Sequence, residues 1–116
     1  MTYEDSNQLT MFQAMPESDV LWQELTQLQG EKFRTARGLE FTYEIRGNEL
    51  FVDRKGKSIT RSTVNLTYRK AMDLLRTGGV VDGPKKLGTF GASYLFPIFV
   101  QLGVIPPLDE QLKMSF

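Results

Sequence analysis

From Phe41 to Asp53 apolar and polar side chains alternate on both sides of a central Gly47-Asn48. Successive side chains of a strand point to opposite faces, so a half-buried strand needs this alternation, whereas a helix would scatter it around its circumference. Phe41, Tyr43 and Ile45 share one face with Leu50 and Val52, and Glu40, Thr42, Glu44 and Arg46 share the other with Glu49, Phe51 and Asp53. Gly and Asn accept the positive φ angles of a two-residue hairpin loop. With that loop, Arg46 lies opposite Glu49, Ile45 opposite Leu50, Glu44 opposite Phe51, Tyr43 opposite Val52, Thr42 opposite Asp53, Phe41 opposite Arg54 and Glu40 opposite Lys55. A slip of one residue would turn every apolar side chain to water and separate the opposite charges at both ends, so hydrophobic pattern and charge select the same register.

The flanks extend the hairpin into a fold. Residues 32–35 alternate again, and Ala36-Arg37-Gly38 suits a three-residue loop with Gly in the left-handed position, which would complete a three-stranded antiparallel meander. Upstream, Ser18 is a helix cap with Asp19 at the positive end of the dipole, Leu21, Leu25 and Leu28 form a core stripe widened by Trp22, and Gly30 ends the helix. Downstream, residues 55–57 read as a turn. Thr60 or Ser62 then caps an amphipathic helix with Val64, Tyr68, Ala71, Met72 and Leu75 on one face and Asn65, Arg69, Lys70, Asp73 and Arg76 on the other. Gly78-Gly79 stops it and a glycine-punctuated loop follows over residues 80–91. Residues 93–102 are apolar on most sides, as in a buried helix, although Pro97 requires a first-turn position or a kink. The expectation is one α+β domain: a three-stranded antiparallel β-meander packed against an N-terminal helix, a central amphipathic helix and a buried C-terminal helix. Residues 1–16 form an acidic arm, 17–107 the folded core and 108–116 a tail with room for one helical turn.

Composition removes whole classes of chemistry. The chain of 116 residues has no Cys and no His, which excludes disulfides, thiolate nucleophiles, imidazole bases and Cys/His zinc sites. Glu4 and Asp5 stand where a secretory signal carries bases, and the most apolar stretch, 92–107, is interrupted by Pro97, Gln101 and Gly103, short of the length of about 18 residues a membrane helix needs. A cytoplasmic protein with no cofactor is expected.

Net charge is zero, but its distribution is uneven. Residues 1–31 hold six acids and no Lys or Arg, whereas residues 32–86 hold thirteen bases against six acids. A surface field acts over about 8 Å at physiological salt, so such local imbalance says more about partners than the total does. Arg54, Lys55, Lys57 and Arg61, followed by Arg69, Lys70, Lys85 and Lys86, are the candidate contacts for nucleic acid or another polyanion, because cations that pair with phosphates release counterions. A solvated basic face that binds nothing accounts for the same residues equally well. The rival function is a protein-interaction or assembly subunit, a homodimer in which the acidic arm of one chain docks on the basic body of another.

Two catalytic motifs are incomplete. Gly56-Lys57-Ser58 resembles the end of a phosphate-binding loop, but the Gly required five residues earlier is Phe51. Asp53-Arg54-Lys55 matches half of a metal-dependent nuclease site, with Glu44 or Glu40 as the second carboxylate on the same face, yet cross-strand salt pairing explains these residues too. Among the aromatics, Phe41, Tyr43, Tyr68, Phe96 and Phe99 fall in the predicted core. Phe33, Phe51, Phe90 and Tyr94 are the ones without an obvious place, and Phe51, on the polar face, is either covered or a contact for a base or a protein.

Overall fold

The computed structural model describes residues 17–54 and 56–114. In chain order it holds helix α1 (Glu17–Leu28), strands β1 (Phe33–Arg34), β2 (Glu40–Phe41), β3 (Tyr43–Arg46), β4 (Glu49–Val52) and β5 (Ser58–Thr60), helix α2 (Arg61–Arg76), a 3-10 turn (Pro84–Lys86), and helices α3 (Ala92–Leu102) and α4 (Leu108–Met114). The α+β class with an antiparallel meander is as the sequence implied. The acidic arm, residues 1–16, lies outside the described residues, as does Lys55 with its proposed pairing to Glu40.

The hairpin has the expected register, with Arg46 opposite Glu49, Ile45 opposite Leu50, Glu44 opposite Phe51 and Tyr43 opposite Val52, around Gly47 at φ 58°. Its continuation differs. The meander is β3-β4-β5, and β1 pairs only with β2, Phe33 opposite Phe41, in a separate two-stranded sheet. At Thr42 the pairing becomes mixed: the Asp53 N–H still donates to Thr42 O at 3.1 Å, but the Thr42 N–H is taken by the Asp53 carboxylate at 3.0 Å instead of a backbone carbonyl. Meanwhile the Val52 N–H already donates to Lys57 O at 2.8 Å, so the chain is turning back into β5 and Arg54 does not pair with Phe41. The expected ion pair across the loop is also replaced. Arg46 pairs with Glu44 two residues earlier, at 3.2 Å, and lies 5.0 Å over the Phe51 ring, while Glu49 accepts from Ser58 Oγ.

Phe41, Tyr43, Leu50, Val52 and Ile59 form the buried face of the sheets, against Leu21, Trp22 and Leu25 of α1, Val64 and Ala71 of α2, and Leu95, Ile98 and Phe99 of α3. Thr60 is the N-cap of α2, its hydroxyl accepting from Thr63 N. The turn that follows α1 covers the outer edge of β3, with Gly30 N donating to Tyr43 O and Ile45 N to the Gln29 amide oxygen, both at 2.9 Å, which closes an edge open to further pairing. Pro97 is the sixth residue of α3 rather than a first-turn residue, and the carbonyl it leaves without a donor belongs to exposed Ser93, within reach of water. The tail is part of the packed structure. Gln111 of α4 is buried, and its amide accepts from Val81 N and donates to Val81 O and Pro106 O, the pairing a neighbouring strand would otherwise supply.

Candidate nucleic-acid interface

Loop 88–91 joins the 3-10 turn to α3, and contacts on both sides hold it in place. Leu87 before it is fully buried. The Thr67 hydroxyl donates to Thr63 O, so at the 2.6 Å contact between the Thr67 and Thr89 hydroxyls Thr89 is the donor, tying the loop to the middle of α2. Gly91 has φ 77°, and a Cβ there would overlap Ile59 Cδ1 and fall 2.7 Å from its Cγ1, so only glycine lets the loop backbone lie directly on β5. Between these anchors Phe90 faces outward, 57% exposed.

Three of the candidate cations gather along this loop. Lys57 Nζ sits 5.2 Å over the Phe90 ring. On α2, one turn beyond Thr67, Lys70 Nζ lies 3.4 Å from where a Cβ on Gly88 would be, and the Lys85 carbonyl lies 3.8 Å from that point. Lys86 is exposed beside Lys85 in the 3-10 turn. Beyond Gly88 a groove of about 690 Å³ runs to the β1–β2 loop, with Lys85 and Arg37 among its lining residues and Asp82 as its one acid. Leu66, 55% exposed, precedes Lys70 by one turn of α2. Among the described residues, none of Lys57, Lys70, Lys85, Lys86 and Arg37 is within ion-pair distance of a carboxylate.

The other predicted contacts are elsewhere. Arg61 is held by Asp19 in an ion pair, by the Asn48 amide oxygen at 3.4 Å and by the Trp22 ring 5.2 Å beneath its guanidinium, so its charge is already matched. Arg54 donates to Glu40 O beside β2. Arg69 and Arg76 are exposed on α2, on the side turned away from Thr67 and the loop. Lys55 lies outside the described residues. Sequence reasoning missed Arg37, which it treated only as part of a hairpin loop, and left Phe90 without a place. The other aromatics in question are covered: Phe33 stacks on Phe41, Tyr94 meets Phe41 edge-on at 5.1 Å, and Phe51 lies under Arg46.

The two catalytic motifs have structural occupations. Lys57 and Ser58 belong to the turn and strand after β4, and Ser58 Oγ bonds Glu49. Asp53 caps Thr42 and Glu44 pairs with Arg46, and among the described residues no group of three or more acidic side chains gathers at one point. Glu44 raises the Arg46 pKa further above its ordinary value, through its hydrogen bond first and its charge second. Among the described residues, no helix is long and apolar enough to cross a membrane. No family model, curated protein or solved structure matches the chain, so any functional reading rests on these residues and their neighbours.

Proposed function

We propose that the protein is a non-enzymatic binding module for nucleic acid or a similar polyanion, working in the cytoplasm, with Lys57, Lys70, Lys85 and Lys86 as its phosphate contacts. One observation carries the reading: Lys57 before β5 and Lys70 on α2, distant in sequence, border the short loop that Lys85 leads into, and none of the three has a carboxylate partner among the described residues. A lysine with no carboxylate among the described residues breaks no ion pair there when it takes a phosphate, although Lys57 gives up its contact with the Phe90 ring, and each phosphate contact releases a counterion. Fluorescence anisotropy with a labelled oligonucleotide tests it. Affinity should fall steeply as salt rises, and Lys57→Gln and Lys70→Gln should each weaken binding and lower the slope of log K against log salt by about one unit or slightly less. Absence of binding at low salt, or affinity indifferent to both changes, would refute the reading.

A second reading takes the acidic N-terminal region of another copy as the occupant of the same lysines. It is supported by the charge complementarity between residues 1–16, which hold Glu4 and Asp5 and no Lys or Arg, and the lysines that have no carboxylate partner among the described residues. A homodimer that dissociates when residues 1–16 are deleted, or when salt is raised, would favour it; a monomeric mass under both conditions would remove it.

A further inference from the structure

We infer that the nucleic acid recognised here is single-stranded, with one base stacked on Phe90 and the phosphates beside it paired with Lys57 and Lys70. The inference rests on the polyanion reading and adds what the lysines alone do not explain. A single exposed apolar side chain is ordinary on a protein surface, but Phe90, 57% exposed, stands beside lysines rather than against the core. Phe90 is kept out of it by contacts made elsewhere in its own loop, the Thr67–Thr89 hydrogen bond on one side and the fit of Gly91 onto Ile59 on the other. A ring carried on a loop held at both neighbours in this way offers a base a flat surface at a defined place.

The cations are spaced to match. Lys57 lies over the ring at 5.2 Å, so a base that stacks on that face displaces the ammonium, which is then free to pair with the phosphate of the stacked nucleotide. Gly88, next to the Lys70 amine, is two residues from Phe90, a distance of at most about 7 Å along the chain. Lys85 and Arg37 then continue the positive charge into the groove beyond. Aromatic stacking combined with cations along a backbone is how single strands are held without sequence readout. In a duplex the bases are already stacked on one another and their faces are closed to a protruding ring.

Three probes separate this inference from the reading it rests on: a single-stranded oligonucleotide, a duplex of the same sequence, and inorganic polyphosphate, which has charge but no bases. The full chain should prefer the single strand to the duplex. Phe90→Ala should weaken single-strand binding about ten-fold, in the range found for loss of one stacked base, while polyphosphate binding and the melting temperature stay unchanged. Phe90→Trp should keep the affinity and show quenched indole emission with the single strand but not with polyphosphate. Equal affinity for duplex and single strand, an equal loss on both probes in Phe90→Ala, or unquenched indole emission from the Phe90→Trp variant on the single strand would overturn the stacking inference and leave polyanion binding standing. Failure to bind any of the three at low salt would remove both.

Discussion

Arg61 and Lys70 lie nine residues apart on the same helix, yet their surroundings differ in every respect that matters for binding. Arg61 opens α2 on the side facing α1, where Asp19, Asn48 and Trp22 hold its guanidinium by charge, hydrogen bond and ring. Lys70 borders the glycine loop, as do Lys57 and Lys85, and there no carboxylate meets them among the described residues. A phosphate would have to displace Asp19 to reach Arg61, whereas it could approach the loop lysines directly. The two groups are indistinguishable in the sequence. Their environments assign one to holding α1 against α2 and the other to contact with a ligand.

The strongest way to break this contrast is to disturb the loop itself. Gly91→Ala adds a Cβ at positive φ against the side chain of Ile59, which is fully buried. Left-handed strain and overpacking together should cost about 2–4 kcal/mol by chemical denaturation, and oligonucleotide binding should fall with it because the lysines lose their common border. Arg61→Leu comes next. Removing the ion pair and the ring contact should cost about 1–2 kcal/mol, reduced by the exposure of Asp19, while oligonucleotide affinity in the folded protein stays within about two-fold of the wild type.

Tyr43 sharpens the same contrast, since it is a second anchor on the α1 side. Its buried hydroxyl donates to Leu25 O in the last turn of α1, and burial, followed by the charge of Glu31, raises its pKa above the ordinary tyrosine value. A folded-state pKa above the unfolded one favours the protonated phenol, so this contribution is complete below about pH 10 and is lost as pH rises past it. Tyr43→Phe should cost about 1 kcal/mol at neutral pH and should flatten the alkaline decline in stability; a decline of unchanged steepness would assign it to other groups.

The hairpin was legible because alternation over two strands and a Gly-Asn loop leave one register. β5 was not, because Ser58-Ile59-Thr60 offers one apolar residue and no period, and its strand character comes from pairing with β4, Leu50 opposite Ile59 and Glu49 opposite Thr60. Gln111 falls within residues 108–116, which the sequence marks only as a tail with room for one helical turn. Nothing in the local sequence marks a side-chain amide that will serve the backbone of Val81, thirty residues earlier. The charge of the basic residues was equally legible, but their pairing was not: the partner that neutralises Arg61 is Asp19, forty-two residues away. Phe90 needed the fold as well, since only the packing of Gly91 and Thr89 on their neighbours shows that its ring stays outside.

The smallest effect on stability and the largest on binding should come from the lysines, so one paired experiment addresses the division most directly. Arg61→Gln and the double variant Lys57→Gln, Lys70→Gln carry comparable conservative changes, and each is measured for thermal stability and for anisotropy with one labelled single-stranded oligonucleotide at low salt. The account predicts that Arg61→Gln melts several degrees lower with nearly unchanged affinity, while the lysine double variant melts within the shift expected of about 0.5 kcal/mol and binds at least ten-fold more weakly. If Arg61→Gln lost binding without losing stability, or the lysine variant lost stability without losing binding, the assignment of the two groups would be contradicted.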